Sequence, residues 1–418
     1  MRVSTLFNRI LALEGTSVES VQVTEAGIVV SVRRRAVRHT CPCGWSTRAR
    51  FDAGRRRWRD LDVGEQKVWL EAEVARIDCR ACGRVRTEDV PWARPGARCS
   101  RDVEDTIAWL AQPMDKTAIA ILMRCAWRTV DSVVKRVVTE HLQADGDLDR
   151  LNGLRRIGVD EISYKRGHKY LTVIADHDSG RVVWVSLNRT QAAFEEFTTA
   201  LGPQRCAQIS AITMDMSPIY RPVAERTLPN ARICFDPFHL VKWANEALDS
   251  VFQNVYRTLR EKLLFKFQYK LTEWRRSRFL LRSAAENLTE DNTRLLTRLR
   301  EEDLTLARAW ELKEGLRDLY RHFRHDSDPH QARAYLHAWY IAATTSGINA
   351  FKNLAKRVRN HFHGILAALE LGLSNSRLEG INSQIRVIQR RGYGYPDPDT
   401  LAAMIHLCLG GITPKLPT

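Results

Sequence analysis

The stretch IGVDEISYKRGHKYLTVIADHDSGRVVWV, residues 157–185, predicts the beginning of a mixed β-sheet. It holds three apolar runs with the length and β-branched content of strands, at residues 157–160, 170–176 and 182–185. The second and third runs are joined by Asp178-Ser179-Gly180, a sequence typical of a tight hairpin turn. The first run ends in an acid, Asp160.

The residues that follow alternate between helix and strand. The pattern predicts a helix over 191–201, a strand over 209–214 that is closed by Asp215, a helix after Pro218, and a fifth strand over 233–235. Three hairpin-linked strands followed by helix, strand, helix and strand is the order of the ribonuclease H-like fold. Because the first and fourth strands of such a sheet are neighbours, we expect Asp160 and Asp215 to lie at one edge.

Two carboxylates at this edge suit metal-dependent phosphoryl transfer. Carboxylate oxygens are the ligands that Mg²⁺ and Mn²⁺ prefer. Two such ions, with a third carboxylate, can activate an attacking oxygen and stabilise a leaving one. Either Asp alone could equally be a helix cap or a turn residue. Their pairing on the first and fourth strands favours the metal site.

The third carboxylate is expected on a late helix, within SNSRLEGINSQIRVIQRRGYGY, residues 374–395. At about 100° per residue, the apolar residues at 378, 381, 385 and 388 form one stripe. The polar face then carries Glu379, Asn382, Ser383, Arg386 and Arg390. Glu379 is the predicted ligand, and Arg386, Arg390 and Arg391 are predicted to contact DNA. A capping box between Ser376 and Glu379 is the alternative.

The charge of the chain favours a polyanionic partner. Its 418 residues carry a net charge of +16, and residues 33–59 contain ten Arg and a single acid, Asp52. A charge that serves solubility is the alternative, but this clustering favours nucleic acid. No apolar run approaches the roughly 18 residues of a membrane span, and the N-terminus does not resemble a secretory signal. We therefore expect a cytoplasmic protein with no membrane partner.

Four of the nine cysteines form two close pairs, Cys41-Pro-Cys43 and Cys79-Arg80-Ala81-Cys82, each followed by Gly. Two such pairs predict one structural Zn²⁺ with four thiolate ligands. The first pair has only one intervening residue, so His39 or Cys99 could replace one of the four ligands. Four ordinary reduced cysteines are the alternative.

Residues 101–138 predict a helix-turn-helix of three helices. Asp115 is expected to cap the second helix, whose inner face would hold Ile119, Leu122 and Met123. The third helix is predicted over 129–138, with Val130, Val133, Val134 and Val137 buried. Its remaining side chains are predicted to bind DNA, namely Arg128, Thr129, Ser132, Lys135 and Arg136. A plain packing module is the alternative.

These blocks together resemble bacterial insertion-sequence transposases of the ISL3 group. The resemblance implies that Asp160, Asp215 and Glu379 are the catalytic acids. It also implies that Asp236-Pro-Phe-His239 is the acid–x–x–His signature of such enzymes, with His239 close to the active site. The family usually has two residues inside the first cysteine pair, so the spacing of Cys41 and Cys43 departs from its pattern.

The expected fold is an α+β multidomain chain. It comprises a zinc-binding knuckle and β domain (1–98), the helix-turn-helix (99–150), and a ribonuclease H-like catalytic domain (151–240 and 373–418) interrupted by an all-helical insertion (241–372). A hinge is predicted within 144–150. We expect Trp274, Trp310 and Trp339 in the core of the insertion. Its surfaces around Arg275, Arg276 and Arg278 could line DNA.

The predicted function is a DNA transposase with two Mg²⁺ or Mn²⁺ ions in its active site and one structural Zn²⁺. It would bind the terminal inverted repeats of its insertion sequence, cleave double-stranded DNA and transfer the strand to a target. Since two element ends must be held together, we expect a homodimer or a larger assembly. The alternatives are a DNA-binding regulator that does not cut and a ribonuclease H-like repair nuclease.

Overall fold

The computed structural model describes residues 2–144, 149–262, 268–323, 328–395 and 397–417. They form two compact units, Met1–Arg150 with Ile385–Thr418, and Leu151–Gln384. The block of final helices predicted for the catalytic domain, residues 373–418, is therefore divided between the two units. Most of the predicted hinge, residues 145–148, lies outside the described residues. None of the described helices has both the length and the apolar character that a membrane span requires.

The N-terminal part of the first unit is a β-sheet beside a short helix. Its elements are α1 (Val3–Leu11), β1 (Thr16–Thr24), β2 (Gly27–Arg34), β3 (His39–Thr40), β4 (Ser46–Thr47), β5 (Asp52–Val63), β6 (Gln66–Cys79) and β7 (Arg84–Thr87). The sheet order is β1-β2-β6-β5 with β7 also on β6, and β3 and β4 form a separate ribbon. Alternate residues of β6 are buried: Val68, Leu70, Ala72 and Val74. Most side chains of the edge strand β1 are half-buried or exposed, so its hydrophobic pattern is weak.

Helices complete the first unit. They are α2 (Arg101–Ala111), α3 (Lys116–Leu122), α4 (Trp127–Leu142), the last turns of α14 (Ser376–Arg391), and α15 (Pro398–Leu409), which packs on α4. The predicted helix-turn-helix is confirmed in its main features, because Asp115 caps α3 and the four predicted valines of α4 are buried. The prediction for Leu122 is wrong. It is the last residue of α3 and is 58% exposed, whereas Ile119 is fully buried.

A five-stranded sheet opens the second unit. Its strands are β8 (Arg156–Lys165), β9 (Lys169–Asp176), β10 (Val182–Leu187), β11 (Ala211–Met214) and β12 (Arg232–Phe235), in the order β10-β9-β8-β11-β12. The first three strands pair antiparallel, and β11 pairs parallel with both β8 and β12. The expected adjacency of the first and fourth strands is confirmed. Three helices accompany the sheet: α5 (Gln191–Leu201), α6 (Pro203–Cys206) and α7 (Arg221–Thr227).

The predicted end of the first strand is wrong. Strand β8 continues past Asp160 to Lys165, because residues 159–163 go on pairing with β9. The parallel pairing of β8 with β11 nevertheless stops at Gly158 and Thr213. Asp160 therefore lies two residues beyond the last β8–β11 pair, and Asp215 follows the last residue of β11.

The remainder of the second unit is helical. The helices are α8 (Pro237–Lys262), α9 (Gln268–Arg282), a 3₁₀ turn (Ala285–Asn287), α10 (Glu290–Glu302), α11 (Leu304–His322), α12 (Pro329–Thr345), α13 (Asn349–Leu371) and the first turns of α14. Trp274 and Trp339 are buried, and Trp310 packs against the same core. Helix α13 covers β12 so closely that a Cβ on Gly364 would overlap the Phe235 ring. The edge of the sheet is thereby protected.

Candidate active site and zinc site

Asp160 is held by two hydrogen bonds and is largely shielded from water. The backbone N–H of Glu161 donates to Asp160 Oδ1 at 2.8 Å, and Asn382 Nδ2 donates to Asp160 Oδ2 at 2.8 Å. Burial raises the pKa of Asp160 to about 6; the N–H of Glu161 opposes the rise and the charge of Asp215 adds to it. The two predicted acids therefore share one electrostatic environment.

Asp215 is buried where the chain leaves β11, with 8% of its surface exposed. The N–H of Ser217 donates to Asp215 Oδ1 at 3.0 Å, which fixes the carboxylate in a turn. Its other oxygen lies 3.9 Å from Nη2 of Arg189. Asp215 is thus a turn residue, which was the alternative to a metal ligand, and its charge also acts on Asp160.

The structure adds a carboxylate and a cation that the sequence reasoning missed. Glu161 Oε1 lies 2.8 Å from Arg189 Nε. Burial raises the pKa of Glu161 to about 7, and the charge of Asp215 adds to the rise. Arg189 follows β10 and lies 28 residues from Glu161 along the chain, so no local pattern links the two. The position of Glu161 directly after Asp160 in the sequence was the only signal that could have identified it.

Helix α8 begins directly after Asp236, and His239 lies in its first turn. Its Nδ1–H donates to Asp236 Oδ2 at 3.3 Å, and this hydrogen bond raises the pKa of His239. Burial opposes the rise, while the charges of Asp215 and Asp236 add to it. The charge of His239 in turn lowers the pKa of Asp160, so the imidazole belongs to the same cluster.

Glu379 is placed differently from the two Asp residues. It is exposed in the first turn of α14, and its N–H donates to the carbonyl of Asn375 at 2.9 Å. Ser376 is already the first helical residue, so it does not occupy the N-cap position that a capping box requires. Asn382, one turn further along the same face, is the residue that reaches Asp160.

A glycine allows α14 to approach the sheet. A Cβ on Gly158 would overlap Leu378 Cδ1 and would lie 2.7 Å from Thr213 Oγ1 and 2.9 Å from His177 Nε2. Leu378 and Ile381 are buried, as the apolar stripe predicted. Gly158 therefore sets how near the face that carries Glu379 and Asn382 can come to β8.

The four predicted zinc ligands lie together. The Sγ atoms of Cys41, Cys43, Cys79 and Cys82 are all within 4.8 Å of one another, and they are the one group found among the described residues with three or more side chains placed to hold a metal ion. Asp160, Asp215 and Glu379 do not form such a group. The positive φ of Gly44 (89°) and Gly83 (64°) turns the chain after each pair. The N–H of Trp45 lowers the pKa of Cys43 to about 7, which favours the thiolate.

Neither alternative zinc ligand is needed. His39 Nδ1 lies within hydrogen-bond distance of Glu88 Oε2, at 2.7 Å. Cys99 is buried elsewhere in the unit, where its backbone bridges to Arg59. The one-residue spacing of Cys41 and Cys43 is thus compatible with a four-thiolate site.

The predicted DNA-contacting residues differ in how free their side chains are. Arg128 and Ser132 are exposed on α4, as are Arg386 and Arg390 on α14, and Thr129 is half-buried. Lys135 forms an ion pair with Asp397, and Arg136 Nε donates to Glu104 Oε1 at 2.7 Å. Arg391 donates to the carbonyls of Ala111 and Gln112 at the end of α2. Among the insertion residues, Arg278 pairs with Asp249, Arg275 is exposed, and the side chain of Arg276 lies outside the described residues.

Comparison with known proteins agrees with the three modules. Residues 157–405 match the ISL3 DDE family described as a transposase. Residues 88–138 match the helix-turn-helix domain of transposase family ISL3, and residues 37–82 match the zinc finger of transposases IS204, IS1001, IS1096 and IS1165.

Relatives match over nearly the whole chain. The transposase for insertion sequence element IS1557 of Mycobacterium tuberculosis is 36% identical over 446 aligned positions, which cover 100% of this chain and 98% of the relative. The transposase for IS1001 of Bordetella parapertussis is 30% identical, with 88% of each chain covered. Neither the non-cutting regulator nor the repair nuclease is favoured by these matches. With a DNA-binding helix-turn-helix, a structural zinc site and a transposase domain in order along it, the chain belongs to the ISL3 family of insertion-sequence transposases.

Proposed function

We propose that this transposase binds the terminal inverted repeats of its element, and that it cleaves and joins DNA with Asp160, Asp215 and Glu379 as ligands of two Mg²⁺ or Mn²⁺ ions. The observation that carries the proposal is the position of two acids at the end of the parallel pairing of adjacent strands, where the charge of Asp215 adds to the raised pKa of Asp160. The strand order β10-β9-β8-β11-β12 supports a ribonuclease H-like catalytic domain.

The residues present fit divalent cations. Four carboxylates lie in one electrostatic cluster, on Asp160, Glu161, Asp215 and Asp236, and burial is the leading cause that holds the pKa of two of them high. Glu161 Oε2 and Asn382 Oδ1 are buried acceptors without a hydrogen-bond partner among the described residues. Mg²⁺ and Mn²⁺ prefer such oxygen ligands, and their positive charge would offset the charge of the clustered carboxylates. Bound there, such ions would lower the pKa of a nucleophilic water and stabilise the leaving oxygen.

Several side chains would position the carboxylates. Asn382 orients Asp160 through its amide, and Arg189 bridges Glu161 and Asp215. His239, whose pKa is raised by its hydrogen bond to Asp236, would hold a proton beside the DNA phosphate. Glu379 would complete the ligand set from the same face of α14 that already contacts Asp160 through Asn382. Its exposure leaves the carboxylate free to join the ligand set.

The domain limits and the assembly belong to the same proposal. The catalytic domain would comprise residues 151–240 and the start of 373–418, with residues 241–372 as a helical insertion. The continuity of unit Leu151–Gln384 supports this arrangement. A homodimer or larger assembly would hold two element ends, and the reaction on chromosomal DNA would take place in the cytoplasm.

Cleavage and binding can be separated by experiment. Asp160→Ala, Asp215→Ala and Glu379→Ala should each abolish cleavage of a duplex that carries the DNA flanking the reading frame, while the affinity for that duplex stays within about twofold of wild type. Glu290→Ala is the matched control, because Glu290 is an exposed acid on α10. This variant should cleave the duplex as wild type does. Full cleavage by any of the three variants would remove that residue from the proposed trio.

A further inference from the structure

A basic groove lies in the first unit between the β-sheet and the helix-turn-helix. Its volume is about 740 Å³. Four of its cationic residues come from the sheet and the loop that follows it, namely Arg57, Arg59, Lys67 and Arg98, and three from the helix-turn-helix, namely Arg124, Arg128 and Arg136. No Asp or Glu lines the groove among the residues that the structure describes. So dense a positive surface fits a row of phosphates.

Some of the cationic side chains of the groove form ion pairs with acidic residues of the same unit, and others do not. Arg57 pairs with Glu71, Arg59 and Arg124 share Asp62, and Arg136 pairs with Glu104. Lys67, Arg98 and Arg128 have no acidic partner within the described ranges, and the latter two are exposed. A bound phosphate would therefore be the first anionic partner of these three side chains.

The two walls of the groove are fixed to each other. The N–H of Arg59 donates to the carbonyl of Arg98 at 2.9 Å, and the N–H of Ser100 donates back to Arg59 at 2.8 Å. Ser100 Oγ also donates to buried Asp60 at 2.6 Å. Behind them, buried Arg94 pairs with Glu104 and Asp105 of α2 and with Glu140 of α4. The sheet and the helix-turn-helix therefore present one preformed surface.

Helix α4 begins in this groove. Ala126 at its N-cap position lines the groove and offers no side-chain oxygen, so the first N–H groups of α4 are not capped by it. Thr129 and Ser132 line the same wall. A phosphate of the bound duplex could take the place of the missing cap, since helix N-termini favour anions.

We propose that this groove is a composite DNA track. One strand's phosphates would lie along Lys67 and Arg98 of the β domain, while the first turns of α4 enter the adjacent major groove. The groove is too small to enclose a duplex but suits one edge of its backbone. The inference deepens the proposed end binding and rests on it. It gives the zinc-bearing β domain a direct share in holding DNA.

Salt dependence of binding tests the track. The full chain is titrated, by fluorescence anisotropy at several salt concentrations, into a duplex carrying the DNA that flanks the reading frame and into a random duplex of equal length. The Lys67→Ala, Arg98→Ala double variant should weaken both affinities at least tenfold. It should also reduce the slope of log K against log salt by about 1.8, which is two phosphate contacts at about 0.9 each. Arg84→Ala is the control, because Arg84 is exposed on β7 outside the groove.

A second variant separates binding from folding. Ala126→Asp supplies the missing helix cap, so its thermal midpoint should stay level or rise. Its added negative charge should nevertheless weaken DNA binding at least tenfold. An unchanged slope for the double variant, or wild-type affinity for Ala126→Asp, would overturn the track. If wild-type protein bound the flanking duplex no better than the random one, the proposed end recognition would fail instead, and a slope reduced equally on both duplexes would still support the track.

Discussion

The cysteine site and the acidic site draw their ligands from very different distances along the chain. Cys41, Cys43, Cys79 and Cys82 belong to one small domain, and their four sulfur atoms lie within 4.8 Å of one another. Asp160 and Glu379 are separated by more than half of the chain, and Glu379 is still exposed in the first turn of α14. A local site is completed by folding alone. The acidic site depends on how closely a distant helix packs against one strand.

The zinc site should be the most sensitive to loss of a single ligand. Cys79→Ser removes a buried thiolate, and structural zinc contributes on the order of 10 kcal/mol to the folding of small zinc domains. We expect the zinc content to fall from one ion per chain to none, with loss of protease resistance over residues 37–82. Elemental analysis and limited proteolysis measure both. Cys125→Ser, outside the cluster, should keep one zinc; equal loss in that variant would contradict the assignment of the four ligands.

Helix packing at Gly158 should give the next largest effect. Gly158→Ala places a Cβ against Leu378, Thr213 and His177, and such overpacking costs about 1–3 kcal/mol. Because the displaced helix carries Glu379 and Asn382, cleavage should fall at least tenfold. Urea unfolding and a cleavage assay measure the two effects.

Gly380→Ala is the matched control for this test. No atom of the residues that the structure describes lies within 4 Å of a Cβ at that position of α14, so the change should stabilise the helix by up to about 1 kcal/mol. If both alanine variants behaved alike, the close approach at Gly158 would not be what positions α14.

The acidic site should also leave a signature in the pH dependence of stability. The pKa of Asp160 is raised to about 6 in the folded protein, above its usual value, so between about pH 4 and pH 6 the folded state binds more protons than the unfolded state. The contribution of Asp160 to stability is therefore full below pH 4 and is lost as the pH rises through 6, by on the order of 1–3 kcal/mol. Urea unfolding of metal-free wild type and Asp160→Asn at pH 4.5 and 7.5 measures it. Identical pH dependence in the two proteins would show that Asp160 is not perturbed.

The smallest expected effect belongs to Asn382. Asn382→Ala removes one hydrogen bond to Asp160, worth about 1 kcal/mol, so we expect a several-fold loss in cleavage rate and weaker activation by Mg²⁺. Ser383→Ala is the control, because its hydroxyl donates to the backbone of its own helix at Glu379. A change in the Mg²⁺ concentration for half-maximal cleavage, seen in Asn382→Ala and absent from Ser383→Ala, would distinguish positioning of Asp160 from general helix damage.

Features set by short stretches of the chain could be predicted from the sequence. Strand order, the buried valines of α4 and the cysteine pairs follow from periodicity and short spacing, and the structure bears them out. The continuation of β8 past Asp160 was missed, because the apolar run ends there and the polar residues Glu161, Ser163 and Lys165 nevertheless pair with β9.

Side-chain partners far apart in sequence were missed for a different reason. The approach of Arg189 to Glu161, and the hydrogen bond from Asn382 to Asp160, follow from how the elements pack. No local pattern specifies either contact. The engagement of Arg391 by the α2 carbonyls is of the same kind, and only the packed unit distinguishes it from the exposed Arg390 on the same helix.

Glu379 is proposed to join Asp160 and Asp215 as a metal ligand. The most direct test is the number of Mn²⁺ ions bound by wild type and by Glu379→Ala in the presence of the flanking duplex, measured by electron paramagnetic resonance. We predict two ions per active site in wild type and at most one in the variant, with DNA affinity unchanged. Two tightly bound ions in Glu379→Ala would contradict the claim.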